Sequence, residues 1–144
     1  MSTVIWVNRL KDGKVTSDDV DRRALYTFAD KLDRLCHELG VTRLSEYHDT
    51  TDLEANLAPE TDESDEDDDF PDTYELMAEK GKWFPPEQGI EVVDRLLEHL
   101  KRKPVRFGLL GDHSEEVMRE LEECRAVLER IKADGAKFHF CIVM

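Results

Sequence analysis

Apolar residues recur along this chain with two different periods, and the switches between them mark the elements. Val4-Ile5-Trp6-Val7 is an unbroken run of β-branched and aromatic residues, which predicts a strand buried on both faces. Asp12-Gly13 is a turn dipeptide that would fold Val15 back onto it as a short hairpin. From about Asp18 the period lengthens. Leu25, Phe28, Leu32, Leu35 and Leu39 recur at spacings of three and four, so one amphipathic helix is expected from Asp18 to Leu39, with Gly40 as its stop. Thr16-Ser17-Asp18-Asp19 would supply its capping oxygens.

Residues 41–59 read less clearly; Leu44, Tyr47, Leu53 and Leu57 fit a short helix or an ordered loop. Order is expected again at Trp83-Phe84-Pro85-Pro86-Glu87, where proline suits a first helical turn and a preceding aromatic can staple back on it. Ile90, Val93, Leu97 and Leu100 then stripe a second helix that Pro104 ends. Val105 to Leu110 is short and apolar, a candidate strand. Asp112 with Glu115 resembles a capping box before a third helix striped by Val117, Leu121, Cys124, Leu128 and Ile131, with Gly135 as its stop. In the closing run Phe138, Phe140, Ile142 and Met144 alternate with His139, Cys141 and Val143, which predicts a strand with two different faces. The pattern is that of an α+β fold: three amphipathic helices packed on a small sheet that includes the N- and C-terminal strands. The terminal strands are expected to pair with each other or with residues 105–110.

Charge changes this picture at one place. The chain has 144 residues, 34 acidic against 20 basic, for a net charge of −14. Ten of the sixteen residues from Glu60 to Glu75 are acidic and none is basic, too much charge and too little apolar surface to repay ordering entropy. A flexible acidic loop over 60–75 is therefore expected inside a single domain spanning 1–144. The same balance disfavours nucleic acid, whose phosphates need a Lys/Arg footprint, and an anionic membrane surface. Met1 to Val7 has no signal-peptide pattern, no stretch reaches the ~20 apolar residues of a membrane helix, and three scattered cysteines read as reduced thiols. The expectation is a cytoplasmic protein.

Candidate chemistry is sparse. Cys141-Ile142-Val143-Met144 matches a prenylation box, but it continues an alternating strand, and the buried reading is preferred. Asp65, Asp67 and Asp69 alternate as at the start of an EF-hand loop, yet Phe70, Pro71 and Leu76 stand where that loop needs other residues. His139 and Cys141, with Cys36-His37 and Cys124, lack the spacing of a zinc site. Gly108-Leu109-Leu110-Gly111 lacks the Lys and Ser/Thr of a phosphate loop. His48-Asp49-Thr50-Thr51-Asp52 is the densest polar cluster outside the acidic loop; His48, Asp49 and Asp52 are the weak candidates for a metal or acid–base site, while Asp52 reads better as a helix cap. No cofactor is expected.

Trp83-Phe84-Pro85-Pro86-Glu87-Gln88-Gly89-Ile90 and Gly135-Ala136-Lys137-Phe138-His139-Phe140 together resemble small acidic bacterial α+β proteins of similar length. That resemblance implies a bacterial origin and no particular activity. The residues favour a non-enzymatic interaction protein, an inhibitor or immunity-type partner of a basic protein, contacting it through Asp65, Glu66, Asp67, Asp68 and Asp69. The alternative is a small metal-binding protein or enzyme using His48, Asp49 and Asp52.

Overall fold

The chain was analysed as a computed structural model, which describes residues 3–57 and 73–144. Its frame is a four-stranded mixed sheet in the order β2-β1-β4-β3, formed by β1 (Val4–Lys11), β2 (Lys14–Ser17), β3 (His48–Asp49) and β4 (Lys137–Val143). β1 and β4 run antiparallel at the centre, from Val4 opposite Val143 to Leu10 opposite Lys137. Of the two expected partners for the terminal strands, the structure has each other. Asp12 (φ 54°) and Gly13 (φ 76°) both take positive φ, the backbone that a two-residue hairpin needs to match strand twist, and β2 returns along β1 as expected. β3 is two residues long and pairs parallel with β4.

Six α-helices occur among the described residues: α1 (Arg23–Thr27), α2 (Ala29–Leu39), α3 (Thr51–Leu57), α4 (Thr73–Lys80), α5 (Pro86–Arg102) and α6 (Ser114–Ala133). The three predicted stripes are present on α1–α2, α5 and α6. They bury Leu25, Leu32, Leu35, Val93, Leu97, Leu100, Val117, Leu121, Cys124, Leu128 and Ile131 against Ile5, Val7, Phe138, Phe140 and Ile142 of the sheet. Phe138, Phe140 and Ile142 thus share one face, as the alternation requires. The other face carries Trp6, Leu10, Val15, Cys141 and Val143, covered by Tyr74, Met77 and Ala78 of α4 and by Trp83.

Several expectations need correcting. The first helix does not begin at Asp18. Asp18 instead accepts from the Val7 amide at 3.1 Å and pairs with Arg22 at 2.7 Å, while Arg22 bridges to Ile5, so residues 18–22 run beside β1. The helix starts at Arg23 and is interrupted at Phe28, whose ring packs edge-on against Phe107 with centroids 5.6 Å apart. Its capping oxygens come from Glu120 of α6, buried, which accepts from the Leu25 and Ala24 amides at 2.9 and 3.3 Å. Residues 105–110 form no strand. Phe107 is buried, but Leu109 and Leu110 point outward, and Gly108 sits at φ 112°. Thr73, Tyr74 and Glu75, read as the end of the acidic loop, open α4; its short apolar set, Tyr74 and Met77 three apart, is too small to announce a helix in sequence. The rest of that loop, including Asp65 to Asp69, lies outside the described residues. The aromatics before α5 meet the sheet: Phe84 bridges Phe138, and Trp83 stacks on His139.

Gly89 tests how closely α5 and β4 approach. A Cβ there would lie 2.6 Å from Phe138 Cζ and 3.0 Å from Leu128 Cδ1, both in fully buried side chains. Gly→Ala inside a helix ordinarily gains up to about 1 kcal/mol; here overpacking should outweigh it, and Gly89→Ala is expected to lose about 1–3 kcal/mol in urea denaturation.

Candidate functional site

Strand alternation decides where the predicted polar cluster goes. His48 pairs with Phe140 and Asp49 with Cys141, so consecutive side chains leave β3 on opposite faces of the sheet. His48 lines an open cleft of about 630 Å³ with Arg23, Tyr26, Asp30, Asp33 and Ser45. Asp33 is held there by the Ser45 amide at 3.0 Å and the Ser45 hydroxyl at 2.5 Å. Burial pushes the His48 imidazole below its ordinary value, opposed by the charge of Asp33. Asp49 lies on the second face. So does Asp52, whose carboxyl is pushed up by burial and whose charge acts on Cys141 and Tyr74. The three residues therefore do not form one site. Asp49 caps the start of α3: it accepts from the Thr51 amide at 3.0 Å and the Thr51 hydroxyl at 3.1 Å.

The second face instead assembles a polar cluster of Asn8, His139 and Asp49 that sequence reasoning did not foresee. Asn8 stands directly opposite His139 in the β1–β4 register, and both are fully buried. His139 Nδ1 lies 2.9 Å from the Lys82 carbonyl, and its Nε2 lies 3.1 Å from Asn8 Nδ2. A carbonyl only accepts, so Nδ1 must carry the proton, leaving Nε2 bare to accept from the Asn8 amide. The ring is sandwiched by the Trp83 indole at 3.9 Å, 23° from parallel, and the indole N–H donates to the Met77 carbonyl at 2.9 Å. Asp49 Oδ1 takes the Lys82 amide at 2.9 Å, while Oδ2 stands 3.9 Å from His139 Nε2. Gly81 makes room for this turn, since a Cβ there would fall 2.6 Å from the Met77 carbonyl and 3.3 Å from Asp49 Oδ1. Burial lowers the His139 pKa, and the charge of Asp49 opposes that shift. The sequence signals for this cluster were one uncharged polar residue in β1, Asn8, and His139 in the closing strand; that they stand opposite each other was invisible until β1 and β4 were known to pair.

The remaining candidates resolve as structure. Cys141 is buried at the sheet centre opposite Trp6, and burial pushes its thiol up to about 12; Cys124 is likewise at about 12 and Cys36 at about 11. Among the described residues no three His, Cys, Asp or Glu side chains gather in a metal-holding group, and no helix is long and apolar enough to cross a membrane. At Gly108 to Gly111 the place a phosphate would take is filled by Asp112, which accepts from the Phe107 amide at 3.1 Å and the Ser114 amide at 3.0 Å. No protein-family model, curated protein or solved structure matches this chain.

Two measurements follow from these burials. Thiols buried and held protonated do not react as thiolates, so a thiol-reactive dye should leave the folded protein unlabelled and label three cysteines in denaturant, matching Cys36, Cys124 and Cys141. His48 and His139 both titrate below their ordinary 6.5 in the folded protein. The unfolded chain therefore binds more protons as pH falls through 6.5, and the stability these two residues contribute above that pH is lost down to their depressed folded values. The melting temperature should fall from neutral pH toward about pH 5, and His48→Gln should reduce the slope.

Proposed function

We propose that this protein is a non-enzymatic interaction protein, an inhibitor or immunity-type partner of a basic protein. The observation that carries the reading is the loop tip Leu109–Leu110, whose side chains are 94% and 102% exposed. Large apolar side chains so fully offered to water have no role in holding this fold. The tip is also preformed. The Arg106 guanidinium donates to the Gly108 and Leu109 carbonyls at 3.0 and 3.1 Å, the His113 amide donates to the Phe107 carbonyl at 2.8 Å, and Phe107 anchors the base in the core. A rigid apolar knob loses little entropy on docking, which favours a role as a contact anchor in a partner's pocket.

The tip lies between the basic end of α5, with Lys101, Arg102 and Lys103, and the acidic first turn of α6, with Glu115 and Glu116. Its rim is thus mixed, and the preference for a basic partner rests on the −14 net charge and the acidic run from Glu60 to Glu75. Helix α3 precedes that run, α4 takes in its last residues, and the two helices contact each other. The groups most able to do chemistry are committed to packing: the three thiols are buried and protonated, and His139 and Asp49 are enclosed under Trp83.

The reading predicts two separable effects on association with a purified basic partner. Neutralising Asp65, Glu66, Asp67, Asp68 and Asp69 together should slow association and flatten its salt dependence, because screening shrinks the Debye length from about 10 Å at 0.1 M to about 3 Å at 1 M. Leu109→Ser with Leu110→Ser should instead speed dissociation, weakening binding by about 2 kcal/mol or more. Both variants should melt like the parent. Unchanged rate constants in both would end the interaction reading at these surfaces.

A further inference from the structure

We propose that Asn8, His139 and Asp49 form a one-proton switch, in which protonation of His139 exchanges the partner of Asp49 from the first turn of α3 to the imidazole. The cluster holds a bare imidazole nitrogen beside a carboxylate: Asp49 Oδ2 faces Nε2 at 3.9 Å, while Nε2 accepts from Asn8 Nδ2 at 3.1 Å. A proton on Nε2 ends that acceptance. Nε2–H then donates to Asp49 Oδ2, drawn in toward the imidazolium, and Asn8 Nδ2 is left with its second contact, Met77 Sδ. Nδ1 keeps its bond to the Lys82 carbonyl in either state.

The exchange acts on the two helices that cover the second face. Asp49 Oδ2 is the acceptor for the Thr51 amide at the start of α3, and Oδ1 is the acceptor for the Lys82 amide just past α4. Asn8 Nδ2 also reaches Met77 Sδ of α4 at 3.3 Å. Pulling Oδ2 away and ending the Asn8–His139 bond therefore loosens the start of α3 and disturbs the seat of α4 in one step. Among the described residues the ionisable groups acting on this face include Asp49 of β3, Asp52 of α3, Tyr74 of α4 and Cys141 of β4, with Asp19 acting on Tyr74 from the segment before α1. Asp49 is the one whose charge acts on the ring, while the Cys141 thiol stays protonated, pushed up to about 12. The switch is independent of the interaction reading; it needs only this cluster.

Nitrogen-resolved NMR of the full chain, labelled with ¹⁵N, tests it between about pH 8 and about pH 5, the range in which imidazole titrates. At the alkaline end the His139 ring should be neutral with its proton on Nδ1. On acidification the ring should gain a proton on Nε2, and the Thr51 and Lys82 amide signals should shift with the same midpoint. Asp49→Asn should lower that midpoint and uncouple the Thr51 signal from it. A neutral ring carrying its proton on Nε2, a His139 titration that leaves Thr51 and Lys82 unmoved, or a ring that stays neutral until the whole fold melts would each overturn the proposal. The unsubstituted protein alone decides the matter, so a poorly folding variant does not blunt the test.

Discussion

The antiparallel pairing of β1 with β4 is the constraint on which the rest of the molecule depends. It joins residues 4–10 to residues 137–143, the most distant partners in the fold, and everything between them must be arranged around that join. The pairing supplies the central two strands, onto which β2 and β3 are added at either side. It also sets a register in which Ile5 and Val7 fall beside Phe138, Phe140 and Ile142 on the face that receives α1, α2, α5 and α6. A slip of one residue would turn one strand's core side chains to the opposite face and bring either Asn8 or His139 into the main core.

That register also explains the polar cluster. Asn8 and His139 are tolerated at fully buried strand positions because they lie directly opposite each other and hydrogen-bond to one another. The second face has a small apolar cover, with Met77, Tyr74 and Trp83 arching over Val15 and Cys141. A small cover leaves room for polar groups. The weak apolar stripe of α4 and the burial of Asn8 and His139 are thus two sides of one arrangement. Trp83 completes it by closing the ring from above and tying α4 down through the Met77 carbonyl.

Buried charge on the helical side follows a similar logic. Glu120 crosses from α6 to cap α1, and Arg22 beside it pairs with Asp18. Burial raises the Glu120 carboxyl while its two amide bonds hold it down. Such groups join elements far apart in sequence at defined points, and they explain why α1 begins where it does. Its own chain offers Asp18 and Asp19 as caps, but Asp18 is engaged with β1 and Asp19 sits at φ 56° outside the helix.

What the amino-acid sequence determined by itself is whatever repeats locally. The stripes of α2, α5 and α6, the Asp12-Gly13 hairpin and the two-faced closing strand are legible because each side chain's environment follows from its neighbours three, four or two positions away. The boundaries and the polar cluster were decided only in three dimensions. Helix α1 starts where Glu120 reaches it; the segment 105–110 leaves strand geometry because Phe107 turns inward while Leu109 and Leu110 turn out. Helix α4 forms because a sheet face waits for Tyr74 and Met77. His48 and Asp49, adjacent in sequence, are parted because β3 alternates, while Asn8 and His139, 131 positions apart, are brought together by the strand register. Periodicity reports which face a residue takes; only the packing of one element on another decides what that face meets.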